Sequence, residues 1–161
     1  VNFAIIDFGG AQQFSSDTST ELEEQMASAA FSPPELLLMK FGKKSDIWAY
    51  GIIIYMICIN KFFFDGGCKD IFIPDKSILI TDKKGNSKLN RLKLKQFQEK
   101  IENHLENDFI KKIGIKNKKF LPDHVANNLI DFFKQIFKVN ITERSNSKNL
   151  LKHELFDFIN K

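Results

Sequence analysis

The run from Ile47 to Ile59 limits the possible folds more than any other stretch of the chain. Its isoleucines favour a strand by propensity. Its length does not, because buried strands usually run about 4–8 residues. It predicts a helix that is apolar all round, and such a helix should be buried. Ser45 or Asp46 can cap the start by accepting a hydrogen bond from an early backbone N–H. Spanning a bilayer takes about 20 residues, more than this run supplies, so no membrane partner is expected. With 161 residues, 43% of them hydrophobic, the chain is long enough to bury a core of one-domain size around this helix.

Upstream, a second stretch runs from Asp7 to Glu35. The apolar residues Phe3 to Ile6 lead into it and read as a buried strand. Asp7-Phe8-Gly9 opens it and Ser32-Pro33-Pro34-Glu35 closes it. Between them lies a polar loop holding Thr18, Ser19 and Thr20, followed by Glu21, Glu23 and Glu24. A carboxylate is a hard oxygen ligand suited to Mg²⁺. The glycine after it permits a backbone turn that a Cβ would resist.

Four motifs in order resemble the protein kinase family. Asp7-Phe8-Gly9 is similar to its metal-binding triplet, and Pro33-Pro34-Glu35 stands where Ala-Pro-Glu closes the activation segment. Ser45-Asp46-Ile47-Trp48-Ala49-Tyr50-Gly51 looks like the family's Asp-x-Trp-x-x-Gly helix start. Glu143-Arg144, then Asn149 to His153 and Leu155-Phe156, look like its last helices. The resemblance implies a mainly α fold, the helical C-lobe with one short N-terminal strand, as a partial kinase domain over residues 1–161. Residues 1–35 would carry the metal triplet and activation segment, 36–66 the central helix and following loop, 67–122 a divergent insertion around a peripheral helix, and 123–161 the final helices.

The same resemblance implies a protein serine/threonine kinase that moves the ATP γ-phosphate to Ser or Thr hydroxyls. The cofactors would be ATP and Mg²⁺, and the partner a protein substrate. Asp7 would hold the metal, Phe8 would pack as a hinge and Gly9 would permit the turn. Ser28 would border the substrate residue, in a stretch where Ala27 replaces the family's Gly. Thr18, Ser19 and Thr20 are candidate phosphosites for an upstream activating kinase. Glu35, Asp46, Trp48 and Arg144 would be structural. The catalytic base, the ATP lysine and the Gly-rich loop precede the metal triplet in the family. Only Val1 to Ile6 precede it here, so the N-lobe is expected to be absent and this chain alone inactive. The alternative is a pseudokinase-like module that binds proteins without catalysis.

The remaining features point to ordinary structure. The formal charge of +4 is too small to argue for nucleic acid. Cys58 and Cys68 lack metal-ligand spacing and read as free thiols, and no basic-then-apolar leader opens the sequence, so a cytoplasmic location is expected. His104, His124 and His153 converge on nothing in sequence and read as surface or packed histidines. Asp82 to Asn86 reads as a turn without the alternating carboxylates of a calcium loop. Lys88 to Ile113 reads as an amphipathic helix with a basic face, Asp123 to Lys138 as a helix capped by Asp123, and Ser147 to Ile159 as a last helix.

Overall fold

A computed structural model describes residues 4–13, 20–21, 29–60, 63, 78–109, 111–113 and 122–157. Helix α1 spans Lys43–Ile59, as the long apolar run requires. It begins after Gly42, whose backbone N–H donates to Ser45 Oγ at 3.1 Å. Ser45 thus serves the start from inside the first turn, and Asp46 does not cap. The helix stops at Asn60, which turns left-handed at φ 55° and donates its N–H to the Met56 carbonyl.

Helix α1 is not buried all round. Trp48, Ile52, Tyr55 and Ile59 form its fully buried face, while Tyr50, Ile53 and Ile57 are exposed, Ile57 by 72%. Among the described residues that second face is only partly covered. On the buried side Gly51 lets α1 come close to α3, which spans Asp123–Ile136. A Cβ at Gly51 would lie 2.3 Å from Ile136 Cγ2 and 3.0 Å from the Phe137 ring.

The core is strongly aromatic. The Phe63 ring lies 4.7 Å from Tyr55 and 4.5 Å from Phe137, and Phe133 stacks on Phe137 at 5.7 Å. Offset and edge-on aromatic pairs of this kind contribute beyond their buried area. Phe62 and Phe64 lie outside the described residues.

Two small antiparallel sheets accompany the helices. Strand β1, Thr20–Glu21, pairs with β2, Lys40–Phe41. Strand β3, Leu79–Thr81, pairs with β4, Ser87–Leu89, through the expected turn. Asp82 organises that turn: its Oδ1 accepts the N–H of Lys84 at 2.8 Å and of Asn86 at 2.9 Å. Gly85 adopts φ 84°, a conformation that favours glycine.

Helix α2 covers Arg91–Asn103, starting later than the expected Lys88 because Lys88 and Leu89 belong to β4. The Asn90 side chain caps it, accepting from the N–H groups of Leu92 and Lys93. A π-turn, His104–Phe109, follows and widens the helix, and His104, Leu105 and Phe109 are all buried there. In α3 the cap position is Pro122, and Asp123 is the first helical residue rather than the cap. The last segment is shorter than expected. Helix α4, Ser147–Leu150, ends early and a 3₁₀ turn at Glu154–Phe156 follows. His153 helps to stop it, since its Nδ1 accepts the Leu155 N–H at 3.0 Å.

The architecture is mostly helical, as expected. The N-terminal strand is corrected: Ala4 to Ile6 form no strand, and Ile5 and Ile6 are 84% and 80% exposed. Apolar composition argues for burial only where a neighbour exists to cover it, and none does among the described residues. Among the described residues no helix is long and apolar enough to cross a membrane.

Candidate functional site

The segment from Asp7 to Glu35 is held differently at its two ends. At the first end Asp7 sits in the left-handed region at φ 62° and ψ 68°, immediately before the 3₁₀ turn Phe8–Gly10. Such a conformation is uncommon outside glycine, and Asp tolerates it better than most residues. The turn closes when Ala11 N–H donates to the Phe8 carbonyl at 2.9 Å. Asp7 is exposed, and Phe8 is 67% exposed rather than packed.

Among the described residues no three His, Cys, Asp or Glu side chains converge, at Asp7 or elsewhere. That fits one role in magnesium binding. Mg²⁺ keeps several waters and takes one or two carboxylates together with phosphate oxygens. A Cβ at Gly9 would make only ordinary contact with Asp7 Oδ1, at 3.5 Å.

At the second end the segment is locked into the core. Glu35 lies on the 3₁₀ turn Pro34–Leu38, with Pro33 and Pro34 fixing the entry. Arg144 reaches it from the loop after α3. Nη1 donates to Glu35 Oε1 at 2.7 Å and Nη2 to Oε2 at 3.0 Å, a two-pronged pairing suited to the planar guanidinium. Glu35 Oε1 also accepts the Ser45 hydroxyl at 2.9 Å. The remaining Arg144 donors are used as well: Nη1 meets the Lys44 carbonyl at 2.8 Å, and Nε the Lys138 carbonyl at 3.1 Å.

Trp48 completes this cluster. Its ring lies 5.0 Å from the Arg144 guanidinium carbon, within cation–π range, and edge-on to Phe137 at 5.3 Å. Its Nε1 is buried and has no acceptor among the described residues. Arg144 is 1% exposed and Glu35 6%, so water has little part in the pairing.

Asp46 points elsewhere. It lies on the first turn of α1, makes no hydrogen bond or ion pair among the described residues, and borders an apolar groove of about 320 Å³ with Tyr50, Phe132 and Leu151. Partial burial pushes its carboxyl above the ordinary value. The backbone of Thr20 pairs with Phe41. Thr18, Ser19, Ala27 and Ser28 lie outside the described residues.

Sequence reasoning missed Ser45 as the third member of the cluster and missed both backbone carbonyls that fix Arg144. It also missed the buried contact of Tyr55 with His104. The Tyr55 hydroxyl lies 2.8 Å from His104 Nε2, and His104 Nδ1 lies 3.2 Å from Asp108 Oδ2. A signal existed for part of it, because His104 and Asp108 are spaced to share a helix face.

A family model described as "Protein kinase domain" matches residues 1–156. The chain is 27% identical, over 157 residues, to the glycogen synthase kinase-3 homolog YGK3 of Saccharomyces cerevisiae, a match covering 95% of this chain and 38% of that protein. It is 32% identical over 65 residues to the calcium/calmodulin-dependent protein kinase kinase cmkC of Emericella nidulans, covering 38% of this chain and 12% of that protein. It is 42% identical over 64 residues to the serine/threonine-protein kinase stk11 homolog of Dictyostelium discoideum, covering 37% of this chain and 11% of that protein. The chain therefore spans well under half the length of these relatives.

Proposed function

Because the chain belongs to the protein kinase family, with the helical architecture of its C-lobe, we propose that it carries the metal-binding triplet and activation segment of a protein serine/threonine kinase. The observation that most supports this is the backbone at Asp7. A non-glycine residue in the left-handed region, directly before a Phe-Gly turn, is a strained feature that often marks a functional position. It leaves the carboxylate exposed.

In this role Asp7 supplies an oxygen ligand to Mg²⁺. The metal, when bound with ATP, neutralises charge on the transferring phosphate. Phe8 and Gly9 form the hinge that aims Asp7. Glu35, clamped by Arg144 and Ser45, fixes the far end of the activation segment so that the intervening loop has a rigid anchor. Ser28 borders the incoming substrate hydroxyl, and Thr18, Ser19 and Thr20 are acceptors for an activating kinase. Asp46, without a partner on α1, accepts hydrogen bonds from the backbone of the catalytic loop. Trp48 shields the Arg144 cluster.

The sequence of 161 residues holds no Gly-rich phosphate loop and no His-Arg-Asp stretch. Phosphotransfer therefore needs residues beyond these. The test is transfer of radiolabelled phosphate from ATP, with Mg²⁺ and a generic basic protein substrate. The whole protein is expected to transfer it, to Ser and Thr, and the 161-residue chain alone is not. Equal transfer by the chain alone would overturn this division of labour. No transfer by the whole protein would favour a binding module without catalysis.

A further inference from the structure

The positive charge of this chain is concentrated in one place. Residues 78–100 hold seven basic residues against two acidic ones, a net +5, whereas the whole chain nets +4. Everything outside this unit is therefore slightly acidic. The unit is structurally continuous: Lys83 and Lys84 at the hairpin turn, Lys88 on β4, and Arg91, Lys93, Lys95 and Lys100 on α2. All seven are exposed.

A cleft of about 550 Å³ lies against the same unit, between α2 and the loop at 139–143. Leu89, Leu94, Val139 and Ile141 give it an aliphatic lining, and Arg91 and Lys95 join them. Of its two carboxylates one is neutralised by an ion pair and one keeps its charge. Glu35 is held by Arg144, and Glu143 accepts from Asn140 Nδ2 at 2.8 Å. Arg91 has no hydrogen-bond or ion-pair partner among the described residues, and Lys95 reaches Glu99 only at 3.9 Å with both side chains mostly exposed. Arg91 and Lys95 thus outnumber the unpaired carboxylate of Glu143 at the cleft, leaving a net positive rim over an apolar lining.

We propose that this basic hairpin–helix unit and its cleft dock an acidic linear segment of another protein, one in which aliphatic side chains alternate with carboxylates. An extended chain sends successive side chains to opposite sides, so alternation would place Leu or Val in the cleft and Asp or Glu toward the cationic rim. Charge complementarity selects an acidic partner and speeds its encounter. The aliphatic lining separates this ligand from single-stranded nucleic acid, which is held by stacking on aromatic side chains. The concave shape separates it from a membrane surface. Docking here does not depend on phosphotransfer, so the two fail independently.

The experiment is fluorescence anisotropy of the full-length protein with a labelled peptide of Glu and Asp alternating with Leu and Val. A second peptide carries Ser at every aliphatic position. Oligouridylate and phosphatidylserine vesicles are the competing ligands. The aliphatic peptide is expected to bind about tenfold more tightly than its serine version, a difference small enough for one or two apolar contacts to supply. Arg91→Glu with Lys95→Glu should weaken binding of both peptides by about tenfold at low salt without changing the melting temperature. Ile141→Ser should weaken only the aliphatic peptide. Equal affinity for the two peptides, tighter binding of oligouridylate or vesicles, or unchanged affinity after the double charge reversal would each overturn the proposal.

Discussion

Arg144 grips Glu35 with two parallel hydrogen bonds across 109 residues of sequence, and both side chains are buried. A buried ion pair need not outperform an apolar substitute in net stability. Removing one partner is different, because it strands the other charge away from water, at about 3–5 kcal/mol. That is a large part of a domain stability of about 5–15 kcal/mol.

Arg144→Ala and Glu35→Ala are therefore each expected to destabilise strongly. The double variant should cost much less than the sum, because neither partner is left stranded. Urea unfolding of the four proteins measures this. Single effects below about 1 kcal/mol, the range of exposed pairs, would mean that water reaches the pair after all. Ser45→Ala, which removes the hydroxyl that donates to Glu35 and accepts from the Gly42 N–H, should cost about 1–3 kcal/mol.

Gly51 offers a sharper test of how closely α1 and α3 approach. On propensity alone, Ala in a helix beats Gly by about 1 kcal/mol. A Cβ placed 2.3 Å from Ile136 Cγ2 forces something to move, and overpacking of a core costs about 1–3 kcal/mol. The clash should win. Gly51→Ala is expected to lower the melting temperature by a few degrees and Gly51→Val by more. A rise in melting temperature for Gly51→Ala would place the helices further apart.

How far the sequence disclosed these relationships differs from case to case. Helix α1 was legible because its apolar run is too long for a strand. Its exposed face at Tyr50, Ile53 and Ile57 was not, because composition states a demand for cover without saying whether cover exists. The same gap explains Ile5 and Ile6. Glu35 and Arg144 were legible through the order of motifs, whereas Ser45 read as a capping residue because a serine near a helix start usually is one. Its second role depends on where the Pro34–Leu38 turn packs, which no local pattern reports. Strands β3 and β4 were hidden because three-residue strands with mostly exposed side chains show no period-two alternation, and only the turn at Asp82 to Asn86 gave the hairpin away.

His104 gives the stability a pH dependence. Asp108 can only accept, so Nδ1 carries the proton, and Nε2 accepts from the Tyr55 hydroxyl. Burial pushes the His104 pKa below its ordinary value of 6.5, against the pull of Asp108 and with a smaller push from Lys112. The unfolded chain therefore binds the proton more readily than the folded one. Stability from this group is complete above about pH 6.5 and declines as the pH falls from there toward the lowered folded value. Thermal unfolding between pH 7.5 and 5 should show that decline. In His104→Gln the slope over the same interval should flatten, although the variant is less stable throughout. An unchanged slope would assign the effect to other groups.

Whether Asp7 holds the metal of a protein kinase turns on a single substitution. Asp7→Asn keeps the size and the tolerance for a left-handed backbone but removes the charge that Mg²⁺ needs. The measurement is phosphotransfer by the whole protein with radiolabelled ATP and Mg²⁺, wild type against Asp7→Asn, with thermal unfolding run on both. Transfer should be abolished in the variant while the melting temperature stays the same. Transfer within a few-fold of wild type, by a variant that folds normally, would contradict the assignment of Asp7 as the metal ligand and with it the proposed chemistry.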